Sequence, residues 1–590
     1  MALNRSQGTR NVPSAKVVAV AAAIWMALGV QGFAAADSLM YRGSTALTGF
    51  FNEPISVPLA LDWRYTTTYF GHNPSSPAIV GDTAYFASGS RVYAVSVSSG
   101  TLKWKYPVDQ PLSTTIHTSP AYADGLIYIG ADDGKLYALR ADTGKDAWRF
   151  DTRSTISASP TVADGVVYFG SGDGRIWALD AKTGNPLTAW KNGFKVLDDI
   201  SGAAAVVNGM VYAVSLDQVL HAIGAATARE RWSYRLQGSV LHMAPIVSGD
   251  FLFIANGSNV TSLYARNGLM RWQRNLGTDV SCNPAVDDDS LYVADIDNNV
   301  RALDLRFGRD RWKTPAKLPF DIVAPPTVVG NVVFVATTLG GVYALDKDTG
   351  AIKWSYVVHP STSDTAAAAE AAANPNRRGS DTNATMPMYA NVAAAPVVSD
   401  KTLFILSDDG SLSAFRATAV DTTGPEITPI EPEMGVVING APPVHFEATI
   451  EDDGSGVNPD TVKLLLDGNG VPRKPSGQEN EDKPGYKYDV LTSTLTYDTE
   501  EPTSASTVHP LADGRHTVTV VAADWYGNVT RKSWTFTVDN SLAKVVKRPA
   551  NETNPRGGYP GAGRGLGGYG GGRGGYGGGR GGGRGPQGGF

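Results

Sequence analysis

"GVYALDKDTGAIKWSYVV" (residues 341–358) decides the fold. Its first half has the apolar and small residues of a buried strand, Asp346 to Gly350 form a turn that needs special backbone angles, and Trp354 lies in a second strand. Close relatives of this line recur along the chain as "VYAVSVSSGTLKW", "LYALRADTGKDAW", "IWALDAKTGNPLTAW" and "VRALDLRFGRDRW". The repeated tryptophans are Trp63, Trp104, Trp148, Trp190, Trp232, Trp272, Trp312 and Trp354, at gaps of 41, 44, 42, 42, 40, 40 and 42 residues. Such a period marks a repeat architecture.

Each unit also carries two earlier strand-like runs, as in "SPTVADGVVYFGS" (159–171), where Asp-Gly is a hairpin signal. Four short antiparallel strands per unit make one propeller blade. Small residues such as Ala344 let the neighbouring sheet approach, and the flat tryptophan suits the wedge between blades. Seven complete units end at Trp104 through Trp354. "AAAPVVSDKTLFILSDDGSLSAFRA" (393–417) then supplies three strands without a tryptophan, and "LALDWRY" (59–65) supplies the missing fourth. The expected fold is all-β: an eight-bladed propeller over 37–420, closed by an N-terminal strand that removes free sheet edges.

The run A-x-D-x-x-T-G-x-x-x-W resembles the tryptophan-docking repeat of propellers of the pyrroloquinoline quinone (PQQ) type over residues 59–417. Blade 4, "HAIGAATARERW", lacks the turn Asp and Gly, and blade 5, "SLYARNGLMRW", is shortened. The resemblance implies the fold but not the job, because the family holds quinoprotein dehydrogenases as well as non-enzymatic propellers that assemble outer-membrane proteins. The dehydrogenases carry a vicinal Cys-Cys disulfide at the quinone, a calcium held by Glu and Asn, and a catalytic Asp. Cys282 is the one cysteine here, so that disulfide cannot form. No residue is assigned a catalytic role, and PQQ with calcium is the alternative cofactor set.

At the N-terminus, Arg5, Arg10 and Lys16 precede the apolar stretch "VVAVAAAIWMALGV", and Ala34-Ala35-Ala36 fits a signal-peptidase site. Residues 1–36 read as a signal peptide and Asp37 as the mature start. Most blades place a proline before the innermost strand, and the residues three positions earlier ring one mouth of the central channel. His117, Ser157, Ser201, His242 and Ser281 are the candidate ligand residues of that mouth. The one long insertion, 359–388, is rich in Ala, Asn and Ser and reads as a mobile loop.

Residue 421 opens a different composition. "PVHFEATI", "TVKLLLDG", "STLTYDT", "HTVTVVAAD" and "SWTFTVD" predict a sandwich of about seven strands over 421–540, resembling bacterial immunoglobulin-like domains. Glu451, Asp452, Asp453 and Asp524 offer hard oxygens to a calcium ion. This region carries eight basic and twenty acidic residues, whereas 541–590 carries eight basic residues and one Glu. The tail, with Arg556, Arg564, Arg573, Arg580 and Arg584 spaced along glycine, has too little apolar surface to fold and suits an anionic polymer. The signal peptide argues against nucleic acid as that polymer. The reading is an exported, non-catalytic scaffold that binds protein or polysaccharide at the cell envelope or surface. A PQQ-dependent oxidoreductase and an adhesin-like structural protein are the alternatives.

Overall fold

In a computed structural model of the chain, the structure describes residues 37–69, 72, 74–359, 390–474, 485–490, 492–499 and 510–543. The signal segment, the tail arginines and all but the first residue of the 359–388 insertion lie outside them. Among the described residues no helix is long and apolar enough to cross a membrane.

The first repeat folds as four strands, Ala78–Val80, Thr83–Ser88, Arg91–Ser96 and Leu102–Tyr106, hydrogen-bonded in chain order. Its middle strands are buried almost throughout, whereas the outermost strand is largely exposed. That pattern follows from radial packing, in which both faces of a middle strand meet neighbouring sheets. The order recurs in seven further sheets between residues 50 and 416, one of which has a fifth strand. First strands of successive sheets touch one another, which places them around a common axis. The chain is a β-propeller. Strand Ala60–Thr66 pairs antiparallel with Ser411–Arg416, so the N-terminal strand completes the last sheet as expected.

The repeated line fixes one sheet to the next. Trp63, Trp104, Trp148, Trp190, Trp232, Trp272 and Trp312 donate Nε1–H to the carbonyls of Val97, Ala141, Ala181, Ala225, Ala265, Leu305 and Lys347 over 2.7–3.1 Å. Each acceptor belongs to the turn of the following sheet. The turn glycine lies beneath the ring: at Gly144 (φ +68°) an added Cβ would come 2.5 Å from Cε3 of Trp104. Sheet four departs from this rule because Ala228 takes the left-handed position at φ +50°. Its partner Trp190 arrives on a short 3-10 turn and meets Tyr168 at 76°, against 42–51° at Trp104, Trp148, Trp232, Trp272 and Trp312. Two differences accompany the altered ring: Ala228 in the glycine position, and a longer run from Gly184 to Trp190 than from the other turn glycines to their tryptophans.

Residues 426–538 form two further sheets, with four and five strands among the described residues. Nine strands replace the predicted seven, because short edge strands such as Val437–Ile438 and Asn469–Val471 have too few residues to show a pattern. Phe446, Ala448 and Ile450 of one sheet pack with Val518, Val520, Trp534 and Phe536 of the other, so the two sheets share one core.

Candidate functional site

Of the residues expected at the channel mouth, Ser201 and His242 are in contact, and His117 lies within electrostatic reach of His242. His117 Nδ1 lies 3.6 Å from Asp132, and His72, which the sequence pattern did not single out, lies 3.8 Å from Asp408. His242, at φ +57°, donates its backbone N–H to Ser201 Oγ at 3.0 Å. The His242 imidazole is held below its ordinary pKa, chiefly by loss of water in the mouth and further by the charges of His117 and His72. Asn283 bridges this rim to Tyr41: its side chain accepts from the Ala244 N–H, and its amide donates to the His242 carbonyl and to the Tyr41 hydroxyl. Ser281 Oγ faces Cys282 Sγ at 3.7 Å, and Cys282 is buried. Ser157 is half-buried. The rim therefore offers imidazoles, carboxylates and hydroxyls for hydrogen bonding to a polar ligand.

Below the rim the axis is filled by the chain itself. Residues 38–51 circle the inner strands. The carbonyls of Ser38, Leu39, Thr45, Ala46, Thr48 and Gly49 accept from the N–H groups of Ile79, Tyr122, Val206, Val247, Val286 and Val328, one on each of six sheets. Phe50–Phe51 then pairs in parallel with Thr327–Val329. From this segment Arg42, 4% exposed, donates to the Pro326 carbonyl at 2.7 Å and to the Pro284 carbonyl. Burial lowers the Arg42 pKa from its usual value. Sequence reading missed this plug because "SLMYRGSTALTGFF" has neither strand alternation nor the repeat. A lone Arg among small residues was the available signal. Cys282 is the single cysteine of the chain and is buried, and the carbonyls of Pro284 and Pro326 are taken by Arg42.

A second site lies where the propeller meets the sandwich. Trp354 has no following turn of the usual kind, and its Nε1–H donates instead to Ser455 O at 3.0 Å. The Tyr356 hydroxyl donates to Asp453 O at 3.2 Å, and Leu61 N–H to Gly454 O at 3.1 Å. The loop 452–456 thus docks where a propeller turn sits elsewhere. Of the acidic candidates, Asp452 and Asp524 come together with Asp421, while Glu451 and Asp453 lie outside that group. Asp421 was missed because it is about thirty and a hundred residues distant in sequence from its partners.

The family model that matches is described as outer membrane protein assembly factor BamB, over residues 110–193, 187–268 and 256–382. Among curated relatives, the BamB protein of Xanthomonas campestris pv. campestris is 28% identical over 383 residues, covering 51% of this chain and 82% of that protein. The lanthanide-dependent methanol dehydrogenase of Methylacidiphilum fumariolicum is 32% identical over 102 residues, covering 15% and 17%. Among solved structures, the quinohemoprotein alcohol dehydrogenase ADHIIG of Pseudomonas putida HK5 superimposes with a TM-score of 0.50 at 14% identity, covering 72% of this chain and 85% of that one. That likeness concerns the fold alone.

Proposed function

We propose, from the premise that the chain is a β-propeller protein of PQQ-type repeats, that it is a non-catalytic scaffold of the cell envelope that binds other proteins. The observation that carries this reading is the plug: residues 38–51 bond to the inner strands of six sheets and bury Arg42 among them, so that part of the axis is taken by the chain itself. The long match to an outer membrane assembly factor supports the same direction, since its name describes assembly rather than turnover. On this reading the polar rim with His117 and His242 is a docking edge for a partner chain, the sandwich extends that surface, and the basic tail contacts anionic polymer or polysaccharide at the envelope.

The test is calorimetric titration of the purified chain from Asp37 with PQQ and calcium, run beside a dye-linked assay of alcohol and sugar oxidation. No heat attributable to PQQ and no dye reduction is the expected result. Stoichiometric binding with turnover would overturn the scaffold reading. In cells, cross-linking through the rim should trap an envelope protein and should weaken in the double variant His117→Ala/His242→Ala. Unchanged trapping would remove the rim from the partner surface.

A further inference from the structure

Asp421, Asp452 and Asp524 come from three separate stretches: the linker, the loop after strand His445–Glu451, and the end of strand Gly514–Asp524. Their carboxylate oxygens lie within 4.8 Å of one another. Asp524 is 1% exposed, and among the described residues no Lys, Arg or His forms an ion pair with any of the three. Gathering three like charges away from water is costly unless a countercharge is supplied. Backbone groups answer part of the cost: Ser455 N–H donates to Asp421 at 2.8 Å, Gly456 N–H to Asp452 at 2.6 Å, and Asn528 N–H to Asp524 at 2.8 Å. They leave the mutual repulsion in place. Burial, with the Asp421, Asp524 and Asp453 carboxylates adding to it and the Gly456 N–H opposing, pushes Asp452 up to about 6.

An independent feature points to a ligand. The Ser455 hydroxyl is fully buried and has no hydrogen-bond partner of ordinary geometry. It lies beside the Asp421 carboxylate, outside the geometry of an ordinary hydrogen bond. An orphaned buried hydroxyl costs about 1–3 kcal/mol. Here it is a neutral oxygen set beside three anionic ones.

We propose that Asp421, Asp452 and Asp524, assisted by the Ser455 hydroxyl, bind a calcium ion that clamps the linker and the sandwich onto the propeller. Calcium accepts six to eight oxygen ligands in irregular geometry and keeps waters where protein oxygens run out. Magnesium demands a stricter octahedron, which ligands from three loops do not prearrange. The clamp follows from connectivity. The loop that carries Asp452 and Ser455 also presents the carbonyls of Asp453, Gly454 and Ser455 to Tyr356, Leu61 and Trp354. Fixing the loop by a cation fixes those three contacts, and by linkage docking raises affinity for the cation.

The experiment titrates the chelator-stripped chain from Asp37 with calcium chloride by calorimetry, up to about 10 mM, above the millimolar dissociation constants of extracellular calcium modules. One saturable site is expected, with a rise in the melting temperature of the sandwich. Asp421→Asn and Asp452→Asn should each weaken binding about tenfold or more. Ser455→Ala guards against misfolding of the charge variants: without calcium it should be as stable as wild type, because it removes an unpaired hydroxyl, and with calcium it should bind several-fold more weakly. Absence of binding in the wild type, or equal affinity in wild type and Ser455→Ala together with a folded Asp452→Asn, would overturn the site.

Discussion

The contact between Trp104 and Gly144 shows how much one hydrogen atom decides. The left-handed turn excludes a side chain on its own account, and the ring above it excludes one again. Gly144→Ala should therefore destabilise the chain by about 2 kcal/mol or more in urea unfolding. Ala228→Gly addresses the converse case and should relieve about 1 kcal/mol of backbone strain, partly offset by the greater freedom of glycine in the unfolded chain. Asp346 holds the equivalent turn, which ends at Gly350, electrically. Its carboxyl accepts from the Thr349 hydroxyl at 2.8 Å and N–H at 2.9 Å, and these bonds keep its pKa below the usual value although burial opposes them. A depressed carboxyl binds its proton less readily in the folded state, so the stabilisation is present above about pH 4 and is lost as pH falls through the lower folded pKa. The stability advantage of wild type over Asp346→Asn should accordingly shrink on acidification, as read from melts between neutral and acid pH.

Among the elements, the outer strands with their tryptophans do the joining. Seven Nε1–H groups reach into the next sheet's turn, and the eighth, from Trp354, reaches the sandwich loop instead. Trp354 is fully buried and packs against Phe415 at 5.9 Å. Trp354→Phe keeps most of that packing and removes the bond to Ser455 O, so it should cost about 1 kcal/mol. Trp354→Ala also empties the space and should cost about 3–5 kcal/mol. Differential scanning calorimetry tells the cases apart. If the two units melt together in wild type and separate in the Phe variant, the bond couples them; an unchanged profile would assign the coupling elsewhere.

For the whole molecule, the ring is closed twice. Strand Ala60–Thr66 closes it at the outer edge, and residues 38–51 tie six sheets together at the axis. Arg42 is buried in the inner closure, with its charge solvated by carbonyl dipoles. Arg42→Met leaves those carbonyls without their donor and should destabilise the propeller by about 2 kcal/mol in denaturant titration. Both closures lie within residues 37–66, so removal of that stretch should yield a ring that opens at the Ser411–Arg416 edge.

The sequence by itself determined the repeat, the tryptophan seats and the strand that completes the last sheet. The first two rest on patterns within about forty residues, where turn chemistry and strand period act locally, and the closing strand is the piece that the last repeat lacks. It also marked His117 and His242, though not His72, and two of the three clustered aspartates. Tertiary structure alone decided the rest. The plug has no strand period of its own and takes its conformation from six inner strands that are distant in sequence. Asp421 joins Asp452 and Asp524 only once the linker folds back along the sandwich, and the loop 452–456 becomes a propeller turn only because the last sheet lacks one. Those contacts are made by shape and charge meeting across the fold, and a linear pattern does not encode which surfaces will meet.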